Sequence, residues 1–436
     1  MRYRSLFMVL AAVLILIAGV RWITDSDESQ IRASLSAVEA LAGEGDARGF
    51  LRADGPRTFV FPEDHGPHPG FRTEWWYYTG NLFTEEGRHF GYQFTIFRNQ
   101  LRPPETAGDP ATGSREHGPD LTPDSPGDAP PAEGIEHQGD TSGGWATDQL
   151  YLAHFAVADM KTGRHIYEER FSRGAAGLAG ARAAPFLVWL ENWRVEELLP
   201  DAEVLNHYQK DDRGDGKLPV RIEAETDGVA IDLSLDPLKP PVFHGDRGYD
   251  RKGSEPGNAS YYISFTRMDT WGSITLDGDR HEVAGYSWMD HEWSTSALEE
   301  GQTGWDWFSL QLSNGYELMY YQLRKEDGTL SPFTTGSLVT PKGDVLSVGH
   351  GDAALKTLDT WKSPHSGAEY PVAWRLSVPG HSLELELSTL FRDQEMNVSF
   401  QYYEGAIRIS GTHHGAPVEG YGYVEMTGYE TGSGRL

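Results

Sequence analysis

The chain has 436 residues, of which 37 are Lys or Arg and 65 are Asp or Glu, so its formal charge is −28 near neutrality. A surface that acidic repels phosphate backbones and sets nucleic acid aside as a partner. There is no cysteine, hence no disulfide, thiol nucleophile or zinc knuckle, while 38% hydrophobic and 12% aromatic residues suffice for a packed core.

Arg2 and Arg4 precede an uncharged run from Leu6 to Val20. This run is shorter than the ~20 residues of a bilayer span and fits the apolar stretch of a secretory signal. The basic flank orients the rest of the chain outward, so the expected address is the periplasm or cell envelope. The run ends Ala18-Gly19-Val20-Arg21-Trp22 without a small-x-small cleavage site. Residues 1–22 therefore read as a signal peptide or an inner-membrane anchor, the only expected membrane contact, and 23–55 as a linker.

From Thr58 onward the pattern has period two with turn punctuation, as in Tyr92-x-Phe94-x-Ile96 and Leu383-x-Leu385-x-Leu387. Segments 181–197 and 353–358 are the only weak helical candidates. Residues 102–144, rich in Pro, Gly, Asp and Ser, read as a disordered, solvated insertion between strands.

A self-comparison divides the remainder in two. Trp76-x-Tyr78 is followed by Gln93, and Trp305-x-Trp307 by Gln322, in both cases 17 residues after the first tryptophan. Downstream, Gly285-Tyr286-Ser287-Trp288-Met289-Asp290 matches Gly420-Tyr421-Gly422-Tyr423-Val424-Glu425. The implied units are 56–296, carrying the insertion, and 297–436. An all-β chain of this kind hides its strand edges by closing into barrels, and a barrel of about eight strands has room for one small ligand.

Period two then sorts the candidate ligand-lining residues. Trp76 and Tyr78 share one face of a strand, and Gln93 lies on the next. Trp305 and Trp307 wall a cavity to which Tyr320 and Gln322 add polar groups. His154 is a lone strand histidine that reads more readily as a satisfied core residue than as a catalyst. The segment Tyr286–Trp293 is the densest in chemistry. Asp290 shares a face with Trp288, and His291 shares the other with Trp293; an imidazole among aromatics is suited either to proton transfer or to a capping hydrogen bond. Neither a His-Glu-x-x-His motif nor a Gly-x-Ser-x-Gly elbow occurs, so no metal, no cofactor and no serine nucleophile is expected.

The segments EWWYYTGNL (74–82), GYQFTIFR (91–98), YLAHFAV (151–157), GYSWMDHEW (285–293) and 402–429 resemble the AttH/CrtC family. That family includes carotenoid 1,2-hydratases and AttH-type proteins encoded beside ABC-transporter components. The resemblance implies two lipocalin-like antiparallel β-barrel domains. It also implies a His-x-Trp pair, here His291 and Trp293, and a Tyr-x-Asp pair that falls on Tyr320 and Gln322. Gln cannot serve as the proton donor, which leaves Asp290 or Asp306 as the substitute.

Alkene hydration needs a carboxylic acid held protonated by apolar surroundings and aromatic faces that stabilise a cation. Binding alone needs only apolar walls, at about 0.8 kcal/mol per buried CH₂. The leading expectation is an exported protein that binds an isoprenoid or lipid and serves an envelope ABC-transport system. The alternative is a carotenoid 1,2-hydratase-like lyase or isomerase, with a glycan- or protein-interaction module as a third reading.

Overall fold

The computed structural model describes residues 47–104, 147–198, 216–295, 298–299 and 301–429. The expected signal or anchor, most of the linker and most of the 102–144 insertion lie outside these residues. Among the described residues no helix is long and apolar enough to cross a membrane.

The fold is all-β and lipocalin-like, built from two antiparallel sheets. The first begins with β1 (Thr73–Phe83), β2 (His89–Gln100), β3 (Gln149–Asp159) and β4 (Arg164–Arg173). It continues through β5 (Ala179–Ala183), β6 (Phe186–Leu190), β7 (Trp193–Glu197), β8 (Val220–Thr226) and β9 (Val229–Pro237). The short β10 (Val242–Phe243) and β11 (Tyr249–Arg251) lead into the long hairpin β12 (Ala259–Leu276) and β13 (Asp279–Ser294). The second sheet opens with β14 (Gln302–Leu312), β15 (Glu317–Lys325), β16 (Thr335–Val339), β17 (Val345–Val348) and β18 (Ala354–Lys362). It closes with β19 (Glu369–Val378), β20 (Leu383–Thr389), β21 (Glu395–Asn397), β22 (Gln401–His413) and β23 (Ala416–Thr427).

In the first sheet the strand order is β4-β3-β2-β1-β13-β12-β9-β8-β7-β6-β5, with β10 and β11 attached to β12. Strands β2, β3 and β4 come round to touch β6, so this sheet nearly closes. The second sheet runs β17-β16-β15-β14-β23-β22-β20-β19-β18 and forms a half-barrel.

Both sheets share one central order: β2-β1-β13-β12 matches β15-β14-β23-β22. The repeat is therefore structural, but its phase differs by one residue from the aromatic spacing. Tyr77 pairs with Asp290 across β1 and β13, and Trp307 pairs with Glu425 across β14 and β23. The equivalent of Trp305-x-Trp307 is thus Trp75-x-Tyr77. Four consecutive aromatics (Trp75 to Tyr78) make both faces of β1 look alike, so alternation alone does not set the phase. The glycines opening the two matched motifs have a shared cause: a Cβ on Gly285 would lie 2.2 Å from the Asn81 carbonyl oxygen, and one on Gly420 would lie 2.1 Å from that of Gln311.

Segment 181–197, a weak helical candidate, is instead β5 to β7. In Phe186–Leu190 buried and half-buried residues alternate, and the chain reverses at Glu191, where φ is 57°. Segment 353–358, the other weak helical candidate, is instead the first part of the edge strand β18.

The inward face of the first sheet carries a contiguous buried cluster that includes Trp76, Tyr78, Tyr92, Phe94, Phe155 and Trp193. That of the second includes Phe308, Leu318, Tyr320, Trp374, Leu385 and Tyr403. Each fully buried large apolar side chain contributes about 1.5–3 kcal/mol. The barrel interiors anticipated as ligand space are thus occupied by core side chains. A third cluster, with Tyr77, Tyr262, Trp288, Trp307, Tyr321 and Tyr423, lies where the outer faces of the two sheets meet.

Candidate active site between the sheets

Because β13 alternates, Tyr286–Trp293 serves two compartments. Met289, His291 and Trp293 turn towards the first sheet's interior and its rim, while Trp288, Asp290 and Glu292 face the second sheet. The Asp290 carboxylate accepts hydrogen bonds from the Tyr262 hydroxyl at 2.6 Å, the Trp288 indole N–H at 2.6 Å and the Ser264 hydroxyl. Burial outweighs these three bonds and pushes its pKa up to about 7. The Trp307 N–H donates to the Tyr262 hydroxyl at 2.9 Å, and the Trp307 ring meets Trp288 and Tyr77 edge-to-face at 6.2 and 5.3 Å.

The second sheet contributes its own acids. Glu425 accepts the Trp305 N–H at 3.1 Å, and burial, with added repulsion from Asp290 and Glu292, pushes its pKa up to about 8. Glu404 accepts the Tyr77 hydroxyl at 2.9 Å, and burial beside Glu425 holds it well above the ordinary carboxylate range. Glu404 Oε1, the Tyr423 hydroxyl and Gln93 Oε1 find no hydrogen-bond partner among the described residues. Nearby, a cavity of about 10 Å³ is lined by residues including Thr79, Trp288, Ser309, Gln311 and Tyr423, room for one water. Lys252 enters this zone: it pairs with Asp250 at 2.7 Å and Glu292 at 3.2 Å and lies 4.3 Å from the centre of the Tyr321 ring.

His291 belongs to a different network. Glu74 Oε1 receives His291 Nε2 at 2.8 Å and His68 Nδ1 at 2.7 Å, while Arg98 Nε donates to Oε2 at 2.8 Å. His68 Nε2 reaches Asp64 at 3.0 Å, and its ring stacks on Trp293 at 3.7 Å. Trp76 stacks on His291 at 4.9 Å. Burial opposes charge on both partners, yet Arg98 and His68 hold Glu74 well below its usual range, and Glu74 and Asp64 raise His68. His291, by contrast, is lowered by burial. The donor atoms of His68, Glu74 and His291 all lie within 4.8 Å of one another, the spacing of a cation site. The Arg98 guanidinium already supplies positive charge there, and the two carboxylates favour a second on His68.

The sequence candidates therefore fall into three places. Asp290, Trp288, Trp305, Trp307, Gln93 and His154 lie at the junction of the sheets. Trp76, Tyr78, His291 and Trp293 pack on the inner side of the first sheet or at its rim. Tyr320 and Gln322 lie on the inner face of the second, where Gln322 hydrogen-bonds Asp306. Asp306 is also held by Arg324 at 3.1 Å and Tyr429 at 3.0 Å.

Glu404, Glu425, Tyr77 and Tyr262 were not singled out from the sequence. The matched motifs carried the one usable signal, since each ends in an acid, at 290 and at 425.

Comparison with known proteins agrees with this architecture. The AttH-like family model matches residues 52–118 and 130–429. Kievitone hydratase of Fusarium solani subsp. phaseoli is 24% identical over 214 residues, which cover 47% of this chain and 59% of that protein. The chain thus aligns with less than two thirds of that relative. The crystal structure of an AttH from Nitrosomonas europaea is 28% identical with a TM-score of 0.68, covering 87% of this chain and all of that one. The structure of kievitone hydratase from Nectria haematococca, 16% identical over 88% of this chain and 98% of its own, shares the fold with a TM-score of 0.60. The match over most of its length shows that the chain belongs to the AttH-like family.

Proposed function

We propose that the protein is a cofactor-independent hydro-lyase that adds water to a carbon–carbon double bond of an apolar, isoprenoid-type substrate at the junction of the two sheets. The observation that carries this reading is Asp290, a buried carboxyl bonded to an indole and a phenol, whose pKa burial pushes up to about 7. The hydratase named among the relatives supports the reaction class.

Asp290 transfers its proton to the less substituted alkene carbon. The C=C π pair forms the new C–H bond, and the positive charge appears on the more substituted carbon. Trp288, Trp307 and Tyr77 share the junction with Asp290, and aromatic contact stabilises a desolvated cation by up to about 2 kcal/mol. Water then bonds to the cation and gives up one proton, leaving an alcohol.

The test is incubation with acyclic isoprenoid alkenes, including lycopene-type polyenes, in H₂O and in D₂O. A product heavier by one water, with one carbon-bound deuterium in D₂O, is expected, and Asp290→Asn abolishes it. A folded wild-type protein that converts no substrate of the panel, or undiminished turnover by Asp290→Asn, overturns the reading.

A further inference from the structure

The repeat that relates the two sheets also builds the small cavity between them. Tyr77–Asp290 on β1 and β13 is equivalent to Trp307–Glu425 on β14 and β23, and the next pairs on the same faces are Thr79–Trp288 and Ser309–Tyr423. All four of these residues line the cavity, two from each sheet. One same-face position further along stand Asn81 and Gln311, equivalent to each other and again both in its lining. The cavity therefore sits where matching positions of the two halves face each other.

Its polar lining suits a water molecule. Asn81 is already committed: its Nδ2 donates to the Gly422 carbonyl at 3.0 Å, and its Oδ1 lies 2.9 Å from His89 Nε2. Gln311 Nε2 donates to the Thr266 and Ser287 carbonyls at 2.8 and 3.0 Å, which leaves its side-chain oxygen to accept. The buried Thr79 and Ser309 bring hydroxyls, and the buried Tyr423 hydroxyl has no hydrogen-bond partner among the described residues. Leaving such a hydroxyl unsatisfied costs about 1–3 kcal/mol. A water held by several polar partners removes that cost, and the cavity has room for one.

The cavity also adjoins the acid. Same-face neighbours along a strand are about 6.8 Å apart. Trp288, the same-face neighbour of Asp290, both lines the cavity and donates its N–H to the Asp290 carboxylate at 2.6 Å. One indole thus touches the proton donor and the cavity. Tyr423 packs in the same aromatic cluster as Trp288, Trp307 and Tyr77.

We propose that this cavity holds the water that adds to the substrate, and that Tyr423 is a positioning residue that fixes this water through its hydroxyl. The proposal rests on the hydration reading above. Once Asp290 has protonated the alkene, the water oxygen bonds to the cationic carbon. One water O–H breaks, and its proton passes to the Asp290 carboxylate, which restores the acid and consumes no other acceptor. Without a positioned water the cation instead loses a proton from a neighbouring carbon to the same carboxylate and reverts to an alkene.

Tyr423→Phe deletes only an oxygen that has no partner among the described residues, so the variant should keep the wild-type fold, which its melting temperature verifies. In the hydration assay in D₂O it should form alcohol about 100-fold more slowly, the scale of a misplaced reactant. Carbon-bound deuterium should still enter the recovered alkene at no less than the wild-type rate, whereas Asp290→Asn stops both. Undiminished alcohol formation in folded Tyr423→Phe, or an equal loss of alcohol and of deuterium uptake, overturns the proposal. Independently of any substrate, a high-resolution crystal structure of the wild-type protein should show an ordered water bonded to the Tyr423 hydroxyl, and a dry cavity overturns the proposal. If no alkene is converted although that water is present, the hydration reading fails and the water site stands. If alkene is hydrated although the cavity is dry, the hydration reading stands and the assignment of this cavity fails.

Discussion

Glu404, fully buried, and Glu425, half-buried, stand directly opposite each other on β22 and β23, with no Lys or Arg ion pair to either among the described residues. Two carboxyl groups so placed cannot both ionise without strong repulsion, so the folded state keeps protons that the unfolded chain releases.

Stability should therefore decline as the pH rises. The folded pKa of Glu425, about 8, lies above its unfolded value, so its contribution is intact below the ordinary carboxylate range and is lost progressively as pH climbs to about 8. Each titrating proton steepens the decline by about 1.4 kcal/mol per pH unit. Glu425→Gln should flatten the fall, with a melting temperature closer to, or above, that of the wild type at pH 8.5 than at pH 5. Parallel wild-type and mutant curves across that range would show that Glu425 does not titrate there.

The opposite sign holds at Glu74. Its folded pKa is held well below the usual value, so its contribution is present above the unfolded pKa and lost as pH falls through the folded one. Glu74→Gln leaves Arg98 and His68 without their shared counter-charge and should cost about 3–5 kcal/mol in chemical denaturation at pH 7. A loss below about 1 kcal/mol would mean the network is not held by charge.

The sheets are tied by a second buried ion cluster. Glu317 accepts Arg267 Nε, from β12 of the other sheet, at 2.7 Å and Lys239 Nζ, from the segment between β9 and β10, at 2.5 Å. Glu317→Ala leaves two cations unpaired at the junction and should destabilise by about 3–5 kcal/mol. Glu317→Gln, which keeps a hydrogen-bond acceptor, should cost less. Equal melting curves for wild type and Glu317→Ala would show that the sheets are held by their aromatic contacts alone.

Gly285→Ala and Gly420→Ala place a methyl group within van der Waals overlap of a neighbouring carbonyl. The strands must separate locally, and each substitution should cost about 1–3 kcal/mol, read as a lowered melting temperature. The equivalence of the two motifs predicts losses of similar size at both positions.

Much of the fold is legible in the residues themselves. Leu383, Leu385 and Leu387 are buried while Glu384 and Glu386 are exposed, as their alternation requires. The matched Gly-Tyr motifs lie on equivalent strands because the same close backbone approach demands glycine in both. The phase of β1 was not legible, since its aromatics satisfy a core and an interface equally well. Nor was the pairing of Tyr402 with His154, whose residues are 248 positions apart and meet only because two sheet faces pack together. Spacing within one strand says which face a side chain takes; it does not say what stands across from that face.

Asp290 and His291 are adjacent along the chain yet belong to separate neighbourhoods, one between the sheets and one at the rim of the first. A single residue gained or lost early in β13 would exchange them, sending the imidazole among the indoles and stranding the acid beside Glu74. The reading frame of that one strand is thus as much a determinant of chemistry as the identity of any residue on it, and tolerance to insertion should be lowest there even though no bond to a substrate is touched.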